Sequence, residues 1–216
     1  SRDWGSNNEP FKRQLMRNLF TGMMISYGSP LILGGDEWMR TKYGNNNSYY
    51  IQADNEWNWF RWGEWRSETN LYRTRMHDFV RDMIQFRKDR DYAFVPTEHG
   101  GGMPFSWKNP SNYDMSGGDW SSKAIMMHYY NNADTEHKEI VVLINMERTD
   151  VSFSLPTGRT WGAVVDTQSF FDDAYLSGMN IEEASQSYNI RLDAPLAINE
   201  SSYTVKGSSI VILEEQ

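Results

Sequence analysis

The sequence predicts an α+β chain, with a helix–strand–helix segment at residues 1–90 and an antiparallel β-sandwich at residues 91–216. Two amphipathic patterns of helical spacing flank one short apolar run in the first part, which indicates two helices around a strand. Six short apolar or alternating runs separated by turn residues follow, and these are typical of antiparallel strands. Because no flexible linker marks the join near Arg90, we expect the two parts to pack tightly.

The first helix is predicted to begin near Pro10 and to end at Gly28, since Pro favours the first turn of a helix and Gly follows the last. After Pro30, the run PLILGG at residues 30–35 is continuously apolar, as in a strand buried on both faces. The apolar side chains of the helix lie three or four positions apart: Phe11, Leu15, Met16, Leu19, Phe20, Met23, Met24 and Tyr27.

A second helix is predicted to start after Ser67 or Thr69, either of which can cap it, and to run to about Asp89. One strand between two helices cannot form a sheet by itself, because its backbone groups need neighbouring strands. The first ninety residues therefore indicate the end of a larger α/β domain. The apolar face of this helix comprises Leu71, Tyr72, Met76, Phe79, Val80, Met83 and Ile84.

The second part contains six strand-like runs, and VSFSL at residues 151–155 alternates most clearly between apolar and polar side chains. Polar segments such as NNADTEH and MERTD are suited to connect hairpins. The predicted strands lie within KAIMMHYY, KEIVVLIN, VSFSLP, TWGAVVD, YNIRL and SSIVIL.

Composition excludes several classes of function. Asp and Glu total 29 against 21 Lys and Arg, so a net charge of −8 argues against nucleic acid as a partner. The chain has no cysteine and no apolar run of membrane length, so we expect no thiolate chemistry and no membrane partner. The four histidines lack zinc spacing, and the acidic groups at 54–56 and 170–173 lack calcium-loop spacing. We therefore predict neither a metal nor a cofactor.

The segment from Leu31 to Phe60 begins as an apolar run and continues as amides, carboxylates and aromatic rings. The stretches GSPLILGGDEWMRTKYGNNNSYY and DNEWNWFRW resemble the closing segment of the α-amylase superfamily, glycoside hydrolase family 13. Within it they are most similar to isoamylases, glycogen-debranching enzymes and pullulanases. The matching positions are Gly28, Pro30, Gly35, Asp36, Glu37, Arg40, Thr41, Gly44, Asn45, Asn46, Asn47, Tyr49, Asp54, Asn55 and Trp59.

The resemblance is specific over residues 12–88 and looser over the β-rich remainder. It implies the last helix–strand–helix of a (β/α)8 barrel, followed by a C-terminal β-sandwich. It also implies a parent enzyme that retains configuration while hydrolysing α-1,6 branch links in glycogen or starch-type glucans. The expected partners are thus an α-glucan polysaccharide and the remainder of the catalytic barrel.

The family's catalytic carboxylates lie on earlier barrel strands, so the resemblance assigns no catalytic residue here, and we expect the isolated chain to be inactive. Asp36 and Glu37 are adjacent, and neighbours in a strand point to opposite faces, so we do not expect them to act as a catalytic pair. One of them is expected to be a hydrogen-bond anchor at the barrel rim, where active sites lie. A stand-alone carbohydrate-binding module and a purely structural domain are the alternatives.

The candidate substrate-binding residues are amides, aromatics and charged groups that suit sugar hydroxyls and ring faces. Alternative interpretations stay open: the amides can fold their own loop through Asx turns, and the rings can pack between the two parts. For Arg40, a salt bridge to a barrel carboxylate is favoured over a substrate contact. The candidates are Asp36, Glu37, Arg40, Asn45, Asn46, Asn47, Tyr49, Tyr50 and Trp57.

Overall fold

A computed structural model describes residues 8–43, 54–66, 70–96, 103–130, 136–171 and 190–216. The helices are α1 (Glu9–Ile25), α2 (Leu71–Asp89) and the short α3 (Asp91–Phe94), with 3-10 turns at Asp36–Trp38 and Asp119–Ser121. The strands are β1 (Phe105–Lys108), β2 (Ala124–Tyr129), β3 (Ile140–Asn145), β4 (Val151–Ser154), β5 (Trp161–Asp166), β6 (Leu196–Ile198), β7 (Ser202–Val205) and β8 (Ser209–Glu215).

The strands form two antiparallel sheets. The larger has six strands in the order β1-β2-β3-β8-β5-β6, and the smaller pairs β4 with β7. The α+β class and the antiparallel sheet predicted from the sequence are confirmed. The division into two domains at residue 90 stays a prediction.

Both faces of the larger sheet are buried, and each face belongs to a different hydrophobic cluster. In β3, Ile140 and Val142 face the cluster that contains the helices, whereas Val141 and Leu143 face the cluster around Phe153 of the small sheet. Strand β8 follows the same alternation. A strand covered on both faces has no need of polar side chains, which is why these strands read as continuous apolar runs.

Helix α1 begins where the sequence predicts, because Asn8 Oδ1 accepts a hydrogen bond from the Phe11 amide at 3.0 Å and Pro occupies the first turn. Its polar face is tied to the sheet rather than to solvent. Gln14 Nε2 donates to the Ser208 carbonyl at 2.7 Å, and Arg17 Nε donates to the Thr167 carbonyl at 2.7 Å. These bonds fix the helix against the turn that precedes β8 and against the residue that follows β5.

The C-terminal end of α1 is held by a buried arginine of α2. The Arg87 guanidinium donates to the carbonyl oxygens of Met24 at 2.6 Å, Ser26 at 2.8 Å, Gly28 at 2.6 Å and Phe94 at 3.1 Å. The last carbonyls of a helix have no donor within the helix, so the Arg87 side chain caps the C-terminal end of α1. Burial lowers the pKa of Arg87 from its ordinary value, although a guanidinium stays charged at any physiological pH.

Two sequence predictions need correction. The strand predicted at residues 30–35 does not form: residues 29–33 have no regular structure, and Leu31 and Leu33 are 91% and 58% exposed. A strand needs a hydrogen-bonded neighbour, and no described strand lies beside this segment. In YNIRL, residues 190–192 form no strand, while 188 and 189 lie outside the described residues.

The observed helix caps and edge strands add to what the sequence predicted. Asn70 is the residue that precedes α2, and both predicted caps, Ser67 and Thr69, lie outside the described residues. Strands β1, β6 and β7 were not predicted, because each has only three or four residues and lies at the edge of its sheet. Within the part of the chain that the structure describes, no helix combines the length and apolar character needed to cross a membrane.

We predict that Arg87→Met lowers the free energy of unfolding by about 2–4 kcal/mol, because it removes this donor from the buried carbonyls of Met24 and Phe94 and from two partly buried ones. The matched control is Lys88→Met on the exposed side of the same helix, for which we expect a change within about 0.5 kcal/mol. Urea denaturation of both variants measures the difference. Equal midpoints for the two variants would contradict the capping role of Arg87.

Candidate functional site

The segment that leaves α1 turns sharply at Gly35. Residues with a side chain rarely adopt its backbone φ of +99°, and a Cβ at this position would lie 2.8 Å from Arg40 Cδ. The Gly35 carbonyl accepts hydrogen bonds from the amides of Trp38 at 3.2 Å and Arg40 at 2.9 Å. Only glycine therefore lets the chain fold back tightly enough to bring Asp36, Glu37 and Arg40 onto one turn.

The two adjacent carboxylates of this turn have different roles. Glu37 Oε2 accepts the Gly35 amide at 2.7 Å, so its carboxylate stabilises its own turn. Asp36 lies 4.0 Å from Arg40 Nε, and burial raises its pKa above the ordinary value against the opposing effect of Arg40. This geometry fits an anchoring role better than the facing carboxylates of a retaining glycosidase.

Arg40 is buried on its own turn: its side chain is 13% exposed, and its Nε has no hydrogen-bond partner among the described residues. The sequence favoured an ion pair with a carboxylate of the barrel. Among the described residues, Arg40 Nε lies 4.0 Å from Asp36 Oδ1, which is an ion-pair rather than a hydrogen-bond distance.

Trp38 anchors the turn to the rest of the structure. It is 3% exposed, packs edge-on against Phe60 with ring centroids 5.8 Å apart, and lies under the Arg73 guanidinium. The ring centroids of Phe60 and Trp62 are in turn 4.4 Å apart. These contacts connect the turn with the aromatic segment at residues 54–66.

That segment presents indole rings to solvent around an Asn-based turn. Trp57 is 44% exposed and Trp59 56% exposed, and Trp59 Nε1 donates to Asp54 Oδ1 at 2.6 Å. Asn55 Oδ1 accepts the Trp57 amide at 3.1 Å, which is an Asx turn. The Asn55 side chain therefore folds the loop, and the rings it positions are available for stacking.

The segment is fastened to α2 by polar contacts and ring stacking. Arg73 pairs with Glu64 at 2.7 Å, and Thr74 Oγ1 donates to the Trp65 carbonyl at 2.7 Å. The Trp65 indole stacks on the His77 ring with centroids 4.3 Å apart. Trp65 is thus used for packing against α2, within residues 1–90.

A groove of about 490 Å³ lies between the turn and α2, and Glu37 lines it together with Ile32 and His77. Its walls mix apolar and charged side chains of α2. Among the described residues, no group of His, Asp and Glu is arranged to hold a metal ion.

The structure brings together only part of the predicted site. Asp36, Glu37 and Arg40 share one turn, and Trp57 lies on the aromatic segment that Phe60 joins to that turn. The sequence analysis did not single out Trp38, although this large aromatic residue directly follows Asp36 and Glu37. The remaining candidates lie outside the described residues: Asn45, Asn46, Asn47, Tyr49 and Tyr50.

No family model matches the chain. It is 32% identical to an isoamylase of Pseudomonas amyloderamosa over 163 residues, which are 71% of this chain and 20% of that protein. It is 31% identical to the chloroplastic isoamylase 1 of Arabidopsis thaliana over 194 residues, 85% of this chain and 22% of that protein. The chain belongs to glycoside hydrolase family 13. The family predicted from the turn and loop motifs is therefore confirmed.

Solved structures similar to this family member share its fold. The pullulanase from Bacillus acidopullulyticus matches 98% of this chain and 21% of its own, with a TM-score of 0.65 and 21% identity. Pullulanase type I from Bacillus subtilis matches 96% of this chain and 24% of its own, with a TM-score of 0.64 and 18% identity. The chain spans about a fifth of the length of the curated relatives it matches.

We predict that Gly35→Ala destabilises the protein by about 1–3 kcal/mol, through positive-φ strain and the contact with Arg40. The matched control is Gly22→Ala within α1, where nothing lies within 4 Å of the added Cβ. That variant should be stabilised by about 0.5–1 kcal/mol, because Ala favours a helix over Gly. Thermal unfolding of both variants is the measurement, and a shift of the same sign in both would contradict the assigned strain.

Proposed function

We propose that this chain is the C-terminal portion of a retaining glycoside hydrolase that cleaves α-1,6 branch links in glycogen or starch-type α-glucans. The observation that carries the proposal is the 32% identity with an isoamylase over 163 residues, which are 71% of this chain. In a retaining mechanism, a carboxylate nucleophile and a carboxylic acid face each other across the scissile bond. Both groups belong to earlier barrel strands in this proposal, and none is assigned here.

The contribution of this chain is one wall of the substrate cleft. The exposed indoles of Trp57 and Trp59 offer apolar faces to the C–H surface of a sugar ring, and amides offer donors and acceptors to its hydroxyls. Pullulanases of similar fold have been solved in complex with maltose and maltotetraose, which supports an α-glucan as ligand. Asn45, Asn46, Asn47, Tyr49 and Tyr50 continue the same wall in this proposal.

The remainder of the barrel is the proposed protein partner. Residues 29–33 belong to no described sheet, and Leu31 and Leu33 are exposed, as expected of a segment whose neighbouring strands come from elsewhere. Pairing with a neighbouring barrel strand would satisfy their backbone groups and bury Leu31 and Leu33. The groove beside Glu37 and His77 would lie next to that contact.

The first test is hydrolysis. We expect the purified 216-residue chain to release no reducing ends from pullulan, whereas the longer protein that contains it releases them. Turnover by the pure chain that is abolished by Asp36→Asn or Glu37→Gln would overturn the assignment of catalysis to earlier strands. Glucan binding by the chain without turnover in the longer protein would favour a carbohydrate-binding module instead.

The second test separates substrate binding from loop folding. In the longer protein, Tyr49→Ala or Asn46→Ala should weaken maltotetraose binding roughly tenfold, since each removes about 1–2 kcal/mol of contact. Melting temperature should stay nearly constant. The matched control is Tyr113→Ala, a 71% exposed tyrosine between β1 and β2, which should change neither quantity. Lower melting temperatures with unchanged binding would mean that the Asn-Tyr run only folds its own loop.

A further inference from the structure

A second polar cavity lies in the β-rich part, away from the turn and its aromatic loop. It has a volume of about 380 Å³ and opens on the face of the larger sheet that also carries the small sheet. Strands β1 and β2 form its floor through Ser106 and its cross-strand partner His128. The connection between β4 and β5, residues 156–159, forms its rim. No role in the proposed hydrolysis uses any of these residues.

One hydroxyl of the cavity is unsatisfied. Ser106 Oγ is buried and has no hydrogen-bond partner among the described residues. Buried hydroxyls are almost always hydrogen-bonded, to protein, to water or to a ligand. Because Ser106 lines the cavity, a molecule inside the cavity is the group that can satisfy it.

The charges that line the cavity are arranged in pairs. Glu139 accepts from His128 Nε2 at 2.8 Å and pairs with Arg159 at 3.0 Å, and Lys108 pairs with Asp114 at 3.1 Å. Burial lowers the pKa of His128 despite the opposing effect of Glu139. The two cationic and two anionic side chains of the lining are paired with one another, which disfavours both phosphate and a free cation as ligand.

What the lining offers is a set of donors and acceptors beside an aromatic ring. The Lys108, Arg159 and Ser106 groups donate, and the carboxylates of Asp114 and Glu139 accept. The half-buried Tyr130 ring lies 5.1 Å from the His128 ring and adds an apolar face.

We propose that this cavity is a second carbohydrate site that binds one pyranose unit of a neutral glucan chain. A volume near the lower end of ligand pockets suits a single ring better than an oligosaccharide. Mixed donors and acceptors match vicinal hydroxyls, and Tyr130 provides the stacking face. The choice of an α-glucan rests on the proposed function, whereas the requirement for an uncharged, hydroxyl-rich ligand rests on the cavity alone.

The test is a titration of the 216-residue chain with maltotriose, followed by calorimetry and by NMR of the His128 ring and the Ser106 amide. Inorganic phosphate is the anion probe. We expect saturable maltotriose binding that shifts both signals, and no such shift with phosphate. Ser106→Ala should weaken that binding about threefold to tenfold, the effect of one hydrogen bond.

Ser106→Ala removes a hydroxyl that makes no described bond, so its melting temperature should not fall. The matched control is Ser152→Ala on the exposed side of β4, which should leave binding unchanged. Tyr130→Phe should retain stacking, and Tyr130→Ala should lose it. Unchanged affinity in Ser106→Ala, or phosphate shifts in place of maltotriose shifts, would overturn the inference.

The same experiments separate this inference from the proposed function. If the longer protein debranches pullulan but maltotriose does not shift the His128 signal, the second site is overturned and the proposed function is not. If maltotriose shifts the His128 signal but the longer protein does not cleave pullulan, the proposed hydrolysis is overturned and the second site is not.

Discussion

A single buried guanidinium, that of Arg87, holds the backbone of three separate segments in place. It binds carbonyls at the end of α1, in the chain that leads to residues 29–33, and at the end of α3. Replacing it would remove the donor from the buried carbonyls of Met24 and Phe94, and unpaired polar groups in the interior are costly. The direction in which the chain leaves α1, and so the position of the Gly35 turn, depends on this contact.

The second constraint is that the larger sheet is covered on both faces. The helices bury one side of β3 and β8, and the small sheet buries the other. The His128 cavity lies on the face that the small sheet covers, beside the connection between β4 and β5. Its charged groups Lys108 and Arg159 remain partly exposed there, which lowers the cost of placing them next to a buried face.

Helical spacing and turn residues allowed α1 and α2 to be predicted, because a 3.6-residue period is a local property. The strand at residues 30–35 was predicted from equally good local signals and does not form, since strand pairing depends on neighbours that no local pattern supplies. The motif identified the family, and it placed Asp36, Glu37 and Arg40 near one another. It did not foresee that Glu37 binds the amide of Gly35, because that contact arises from a positive φ angle.

The position of β8 in the middle of the larger sheet has a consequence for the order of folding. It follows every other described strand in sequence, yet β3 and β5 both pair with it, and Gln14 reaches across 194 residues to Ser208. At translation rates of about 5–20 residues per second, α1 would wait roughly 10–40 seconds for that partner. Until β8 is made, the apolar face of α1 lacks one of its packing partners, and β3 and β5 lack the strand that joins them. Such long-range pairing favours slow, late and cooperative collapse, with exposure to chaperones in the interval.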